Sequence, residues 1–269
     1  MTDTPKTYGK TDLSYNDYLK VAELTSLQQP LSEPVHHDEM LFIIIHQAYE
    51  LWFKLIIHEL ETAIEYMAKR QVLRAQHFVK RVVEIQKQLV SQIHILETMT
   101  PVEFLQFREN LMPASGFQSL QHREIEFMCG MKDERFFQYF KNRPEVIAQL
   151  KRRFDGPDLS SSFLKLAASL GYPTHENDTP ENHDEVVRGL KSIYQDPSHN
   201  LPLYLLAESL VDLDQGLSLW KEHHVRVVER VIGFKRGTGG SSGVEYLRAQ
   251  TAKKAFPYLW DVRMLLERT

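Results

Sequence analysis

The sequence predicts an all-α protein folded as a single domain, a bundle of long antiparallel helices. Helix breakers are spread very unevenly: no glycine stands between Gly9 and Gly116, and no proline between Pro34 and Pro101. A sheet protein needs turn residues every few positions and could not be built on such a stretch. Apolar residues inside it recur at helical spacing rather than alternating. At 269 residues, 42% hydrophobic and 25% charged, the chain can bury one large core. No internal repeat, low-complexity tract or convincing linker divides it, so residues 1–269 are read as one domain.

The elements follow in order. Asp38 to Met67 carries Ile44, Leu51, Leu55 and Leu60 at helical spacing, and Leu73 to Leu96 forms a second such stretch. Thr100-Pro101-Val102-Glu103 is a helix start, with Thr as cap, Pro at the first position and an early acid. That helix ends near Pro113, and Ser115-Gly116 opens another through Cys129. Pro144, Leu159 and Asp184 stand near further helix starts. The run between Gly171 and Asp184 is polar and broken by Pro173 and Pro180, which predicts a surface excursion, mobile or bound by a partner. A long helix is expected from Pro202 to Ile232, with Gly216 its one interruption in composition. Beyond a glycine-rich loop, Val244 to Lys254 and Pro257 to Glu267 read as two closing helices.

A net charge of −4 and a pI near 6.3 offer no basic surface for nucleic acid and no electrostatic reason for a membrane surface. The strongly apolar run from Met40 to Ile45 is too short to span a bilayer, and the polar first ten residues lack a signal architecture. The expectation is a soluble, cytoplasmic protein. Cys129 is alone, which excludes an internal disulfide, a thiolate zinc cluster and a CxxC motif. Its neighbours Phe127, Met128 and Met131 make it a small core residue.

Chemistry concentrates in three places. His224 shares a helical face with Leu217, Trp220, Val227, Val228 and Val231, whereas His223 faces Gly216, Arg226 and Arg230 and is assigned to solvent. Just beyond, four of twelve glycines fall between Gly237 and Gly243, a loop whose backbone N–H groups can approach a ligand. Without a preceding strand or a terminal Lys it is neither a dinucleotide fingerprint nor a P-loop. His46 lies among Phe42, Tyr49 and Phe53, a polar group in an aromatic setting suited to a flat ligand with one polar edge. A core histidine paired with Glu50 fits that segment equally well. Arg108, after Phe104 and Phe107, could clasp a carboxylate with its guanidinium fork or stand exposed on its helix. Di-iron Glu-x-x-His pairs on helices and the zincin His-Glu-x-x-His are absent, whereas a haem needs a single protein ligand.

Three motifs, in order and spread over most of the chain, resemble the bacterial-type tryptophan 2,3-dioxygenases. They are Phe42-x-x-x-His46-Gln-x-Tyr-Glu-Leu-Trp-Phe-Lys54, Phe107-Arg108 with Pro113-Ala-Ser115-Gly-Phe-Gln-Ser-Leu-Gln121, and His224 through the Gly237–Gly243 loop. The resemblance implies a tryptophan/indoleamine dioxygenase-like helical bundle around haem b, active in the ferrous form. It implies cleavage of the indole pyrrole ring of L-tryptophan with O2 to give N-formyl-L-kynurenine, in a cytoplasmic homotetramer. By the same likeness His224 is the proximal haem ligand and His46 stands near the indole N–H. Arg108 holds the substrate carboxylate, and Thr238 its ammonium group. Phe42 and Phe104 wall the indole, Ser115 lies at the haem edge, and Gly237, Thr238 and Gly239 line the cofactor. The N-terminal segment, residues 1–35, reaches a neighbouring subunit's pocket through Tyr15 and Tyr18. Family members carry Tyr or Phe at the position of Phe104, so the contact here is apolar. Haem relatives that hydroxylate aromatic amino-acid derivatives, and a non-catalytic haem sensor, are the competing classes.

Overall fold

The computed structural model describes residues 12–235 and 243–267. Among the described residues all regular structure is helical: α1 (Tyr15–Leu19), α2 (Val21–Leu24), α3 (His37–Ala68), α4 (Val72–Leu96), α5 (Pro101–Phe107), α6 (Leu120–Met128), α7 (Pro144–Asp155), α8 (Leu159–Ser169), α9 (His183–Gln195), α10 (Leu201–Ile232), α11 (Val244–Thr251) and α12 (Pro257–Asp261), joined by short 3-10 turns.

The three long helices make the frame, with α4 packed on α3 along one flank and on α10 along the other. Leu60 and Ala63 of α3, Ala75 and Val79 of α4, and Leu206, Leu210 and Leu213 of α10 are buried completely. Each large apolar side chain removed from water contributes about 1.5–3 kcal/mol. Polar bonds set the register. The Tyr49 hydroxyl donates to the Leu89 carbonyl at 3.0 Å, and Gln86 Nε2 donates to the Leu213 carbonyl at 3.1 Å. Gly216 lets α10 close on α4 there, since a Cβ at that position would stand 2.3 Å from Gln86 Oε1. A second aromatic cluster of Phe127, Phe136, Phe140 and Leu150 joins α6 to α7.

Several boundaries follow the caps that local chemistry sets. Thr100 and Glu103 form a reciprocal capping box at the start of α5. The helix expected from Ser115 through Cys129 is broken: a 3-10 turn covers Gly116–Gln118, and Ser119 then caps α6 by accepting from His122 N at 3.2 Å. The two closing helices are shorter than their pattern suggested, because the Asp214 carboxylate gathers the backbone N–H groups of Ala255 (3.0 Å) and Phe256 (3.2 Å) and the indole N–H of Trp260 (2.9 Å). That buried acceptor ends α11 and turns the chain into α12. Residues 170–182 carry no helix, and the chain itself ties them down. The Tyr172 hydroxyl donates to Asn200, and His183 contacts both Asp178 and Asp261.

Helix α3 includes an 18-residue window of mean hydropathy 1.5, enough by length and composition to cross a membrane. In this fold it packs on α4, α5, α6 and α8.

Candidate functional site

Phe42, His46, Tyr49 and Phe53 lie at i, i+4, i+7 and i+11 on α3, so helical geometry stacks them on one face. They form one wall of a cavity of about 280 Å³, which Arg108 and Ser115 line from the α5–α6 connection and Trp220, His224, Val227 and Val231 from α10. The sequence-predicted residues Phe42, His46, Phe104, Arg108, Ser115 and His224 therefore meet in one place. Tyr15 and Tyr18 do not join them; they are 75% and 72% exposed on α1. Gly237, Thr238 and Gly239 lie outside the described residues. A larger groove of about 650 Å³ between α3, α7 and α8 holds none of the predicted residues.

Three histidines, His46, His122 and His224, line this cavity, and burial lowers each of them. His46 is lowered from its ordinary value, burial outweighing the opposing influence of the Phe42 carbonyl and the Glu50 charge. Because a carbonyl only accepts, the 2.7 Å contact to Phe42 O places the imidazole proton on Nδ1. The lone pair is then on Nε2. Glu50 is not paired with His46: it accepts from Ser119 Oγ at 2.7 Å and Gln121 Nε2 at 2.8 Å, which pins the start of α6 against α3. Burial, with a smaller contribution from His46, pushes His224 down to about 4. Its ring lies parallel to that of Trp220, centroids 5.5 Å apart at 1°, and Trp220 in turn meets Tyr49 and Phe53 edge-on at 6.1 Å. His223, expected in solvent, is half-buried against His94 at 5.8 Å, because the end of α4 packs beside α10.

Phe104 is buried, and its ring stands 5.8 Å from Phe42 and 5.3 Å from Phe107. Arg108 sits half-buried at the end of α5, where the helix tightens to a 3-10 turn. Ser115 Oγ accepts from Phe117 N at 3.4 Å.

Sequence reasoning missed a charged cluster on the same cavity: His122, Arg123 and Glu126 of α6 with Lys221 of α10. Lys221 Nζ lies 2.8 Å from Glu126, which also pairs with Arg123. Burial opposes ionisation of Glu126, yet His122, Arg123 and Lys221 together hold its carboxyl down at about 2. His122 and Arg123, four and three residues before Glu126, have the spacing of an ordinary solvated helix face. The one available signal was the company of Ile125, Phe127 and Met128 on so short a helix.

A haem fits these residues. His224 is a neutral imidazole with no hydrogen-bond partner among the described residues, opening on a cavity with Val227, Val228, Val231 and Ile232 in its lining. An apolar-walled cavity with one axial nitrogen is what a macrocycle requires. Among the described residues no three His, Cys, Asp or Glu side chains converge to cage a bare ion.

The chain matches the family model described as tryptophan 2,3-dioxygenase over residues 2–169 and 184–266. It is 42% identical over 262 residues to the tryptophan 2,3-dioxygenase of Myxococcus xanthus, covering 95% of this chain and 89% of that protein. It is 44% identical over 258 residues to the enzyme of that name from Xanthomonas oryzae pv. oryzae, and 45% over 258 residues to that from Xanthomonas euvesicatoria pv. vesicatoria. In both cases 93% of this chain and 87% of the relative are covered.

Proposed function

The chain belongs to the tryptophan 2,3-dioxygenase family, and from that premise we propose that its cavity holds haem b on His224 and L-tryptophan between Phe42, His46 and Arg108. The reaction is oxidative opening of the tryptophan indole by O2, at the head of kynurenine-pathway catabolism. The observation that carries the site assignment is that the neutral imidazoles of His46 and His224 line one cavity together with Phe42, Phe104 and Arg108.

Each side chain then has a defined task. His224 would hold the haem iron through its neutral imidazole, whose orientation the parallel Trp220 ring restrains. Bound haem supplies the dioxygen chemistry, which places both oxygen atoms in N-formyl-L-kynurenine as the indole C2–C3 bond is cleaved. His46, with its Nδ1 proton committed to Phe42 O, presents Nε2 to accept the indole N–H and hold the ring in register. It orients and polarises that bond rather than serving as an obligatory base. Arg108 binds the substrate carboxylate as a fork, and the family resemblance assigns Thr238 to the ammonium group and Gly237 and Gly239 to the cofactor. Ser115 completes the haem edge. Fixing the amino-acid end places C2 and C3 for reaction, so orientation carries much of the rate. Phe42 and Phe104 exclude water from the indole. The same reading makes the protein a cytoplasmic homotetramer, with Tyr15 and Tyr18 of one subunit completing a neighbour's pocket; their exposure on their own chain supports this.

The test is product mass after ferrous, haem-loaded protein is given L-tryptophan and labelled O2, beside a His224→Ala variant. Two labelled oxygens in the wild-type product, and a variant with neither haem absorption nor activity, are the expected results. One labelled oxygen would mark a hydroxylating relative. An active variant would remove His224 from its role.

A further inference from the structure

Behind the wall formed by Phe53, His122 and Trp220 lies a second cavity, of about 20 Å³, enclosed by α3, α4, α6 and α10. Its lining is apolar except at Gln86, His122, Trp220 and the Cys129 thiol. Two of these present acceptors that the protein does not satisfy: Gln86 Oε1 and His122 Nε2 are both buried without a hydrogen-bond partner. The amide cannot be reversed to relieve this, because Gln86 Nε2 already donates to the Leu213 carbonyl. For the imidazole, Nδ1 lies 3.9 Å from the ionised Glu126 carboxylate, whose negative charge favours the tautomer with the proton on Nδ1 and the lone pair on Nε2. Two lone pairs cannot satisfy one another, and each is destabilising when buried without a donor.

The volume and the donor count select the occupant. A water needs roughly 10–15 Å³ and two to four polar partners, so this space holds one and not two. Dioxygen or another apolar gas would fit the volume but leave both acceptors bare. The oxygen of a water can in turn accept from the Cys129 thiol, which burial keeps protonated.

We infer that this cavity is a binding site for a single ordered water, which donates one hydrogen to Gln86 Oε1 and the other to His122 Nε2. The water thereby joins α4 to α6 and holds the His122 ring against Trp220, 5.1 Å away. Trp220 lies parallel to His224. Gln86, which does not line the larger cavity, is therefore a positioning residue for the axial histidine. The water site stands independently of the haem assignment; its effect on His224 rests on that assignment.

The experiment is a high-resolution crystal structure of the haem-loaded protein, with a second crystal pressurised with xenon. Density within hydrogen-bonding distance of both Gln86 Oε1 and His122 Nε2, unchanged by xenon, is expected. A dry cavity, or one that fills with xenon, overturns the site. Gln86→Leu, with Gln86→Met as a second choice should the first not fold, should lose that density and shift the ferrous iron–histidine stretching band in resonance Raman spectra. A band that stays in place in a variant without the water overturns the positioning role while leaving the site. Should the protein take up no haem, the haem assignment fails, and the crystal of the haem-free protein still decides the water.

Discussion

His46 shows how one backbone acceptor turns a residue type into a role. On sequence alone it was equally a core histidine bound to Glu50. In the structure Glu50 is occupied by Ser119 and Gln121, and the Phe42 carbonyl sets the His46 tautomer. If Nε2 accepts the indole N–H as proposed, loss of the ring leaves that donor without its partner, at a cost of about 1–3 kcal/mol. His46→Ala should retain haem and lose about tenfold to a hundredfold in kcat/KM; full activity, or complete loss of it, would reject the orienting role. Arg108 and Phe42 were legible through the family motifs, since the segment around Arg108 fits an exposed helix position equally well. His122, Glu126 and Lys221 were not, because a charged residue three or four positions from its opposite reads as surface until the neighbouring helix is in place.

At the scale of elements, the α8–α9 connection is where pattern and fold part company. The family model passes from residue 169 to residue 184, and the polar, proline-broken segment between reads as a surface excursion, mobile or bound by a partner. Its attachment is instead specific. His183 bridges Asp178 at 2.9 Å and Asp261 at 3.1 Å, and Gly189 of α9 admits the Pro173 carbonyl, which a Cβ would meet at 1.8 Å. Burial alone would lower His183, but the hydrogen bonds and charges of Asp178 and Asp261 raise it above its ordinary 6.5. A histidine raised by folding contributes its stabilisation fully below the unfolded value and loses it as the pH rises through the folded one. Amide exchange in residues 172–182 should therefore quicken as the pH climbs past that raised value. His183→Gln should show fast exchange throughout, with no such step. An exchange profile in the wild type that follows only intrinsic base catalysis would count against the bridge.

For the whole molecule, the open question is what covers the N-terminal segment. Leu13, Tyr15, Tyr18, Leu19, Leu24 and Leu27 are all exposed on this chain, an apolar series suited to burial in an assembly. If Tyr15 and Tyr18 complete a neighbour's pocket, two defective chains can repair each other. A Tyr15→Ala/Tyr18→Ala chain keeps an intact His224, and a His224→Ala chain keeps an intact N-terminal segment. Mixed and reassembled as tetramers, they should recover activity well above either parent, and size-exclusion chromatography should place the mixture at four chains. Mixed tetramers with no gain would show that each pocket is complete within its own subunit.

The family resemblance named the site residues; local pattern by itself determined the helical class, the three long helices and the cap at Thr100. Each of these depends on spacing within about a turn of helix, or on a side chain bonding its own backbone, and such physics is written along the chain. Only the tertiary structure decided the early end of α11 and the tethering of residues 170–182. It alone brought Lys221 of α10 to the buried charges around Glu126 and formed the small polar cavity at Gln86 and His122. These arise where helices distant in sequence remove a polar group from water, and the cost of leaving it unpaired then dictates a partner that no local window contains.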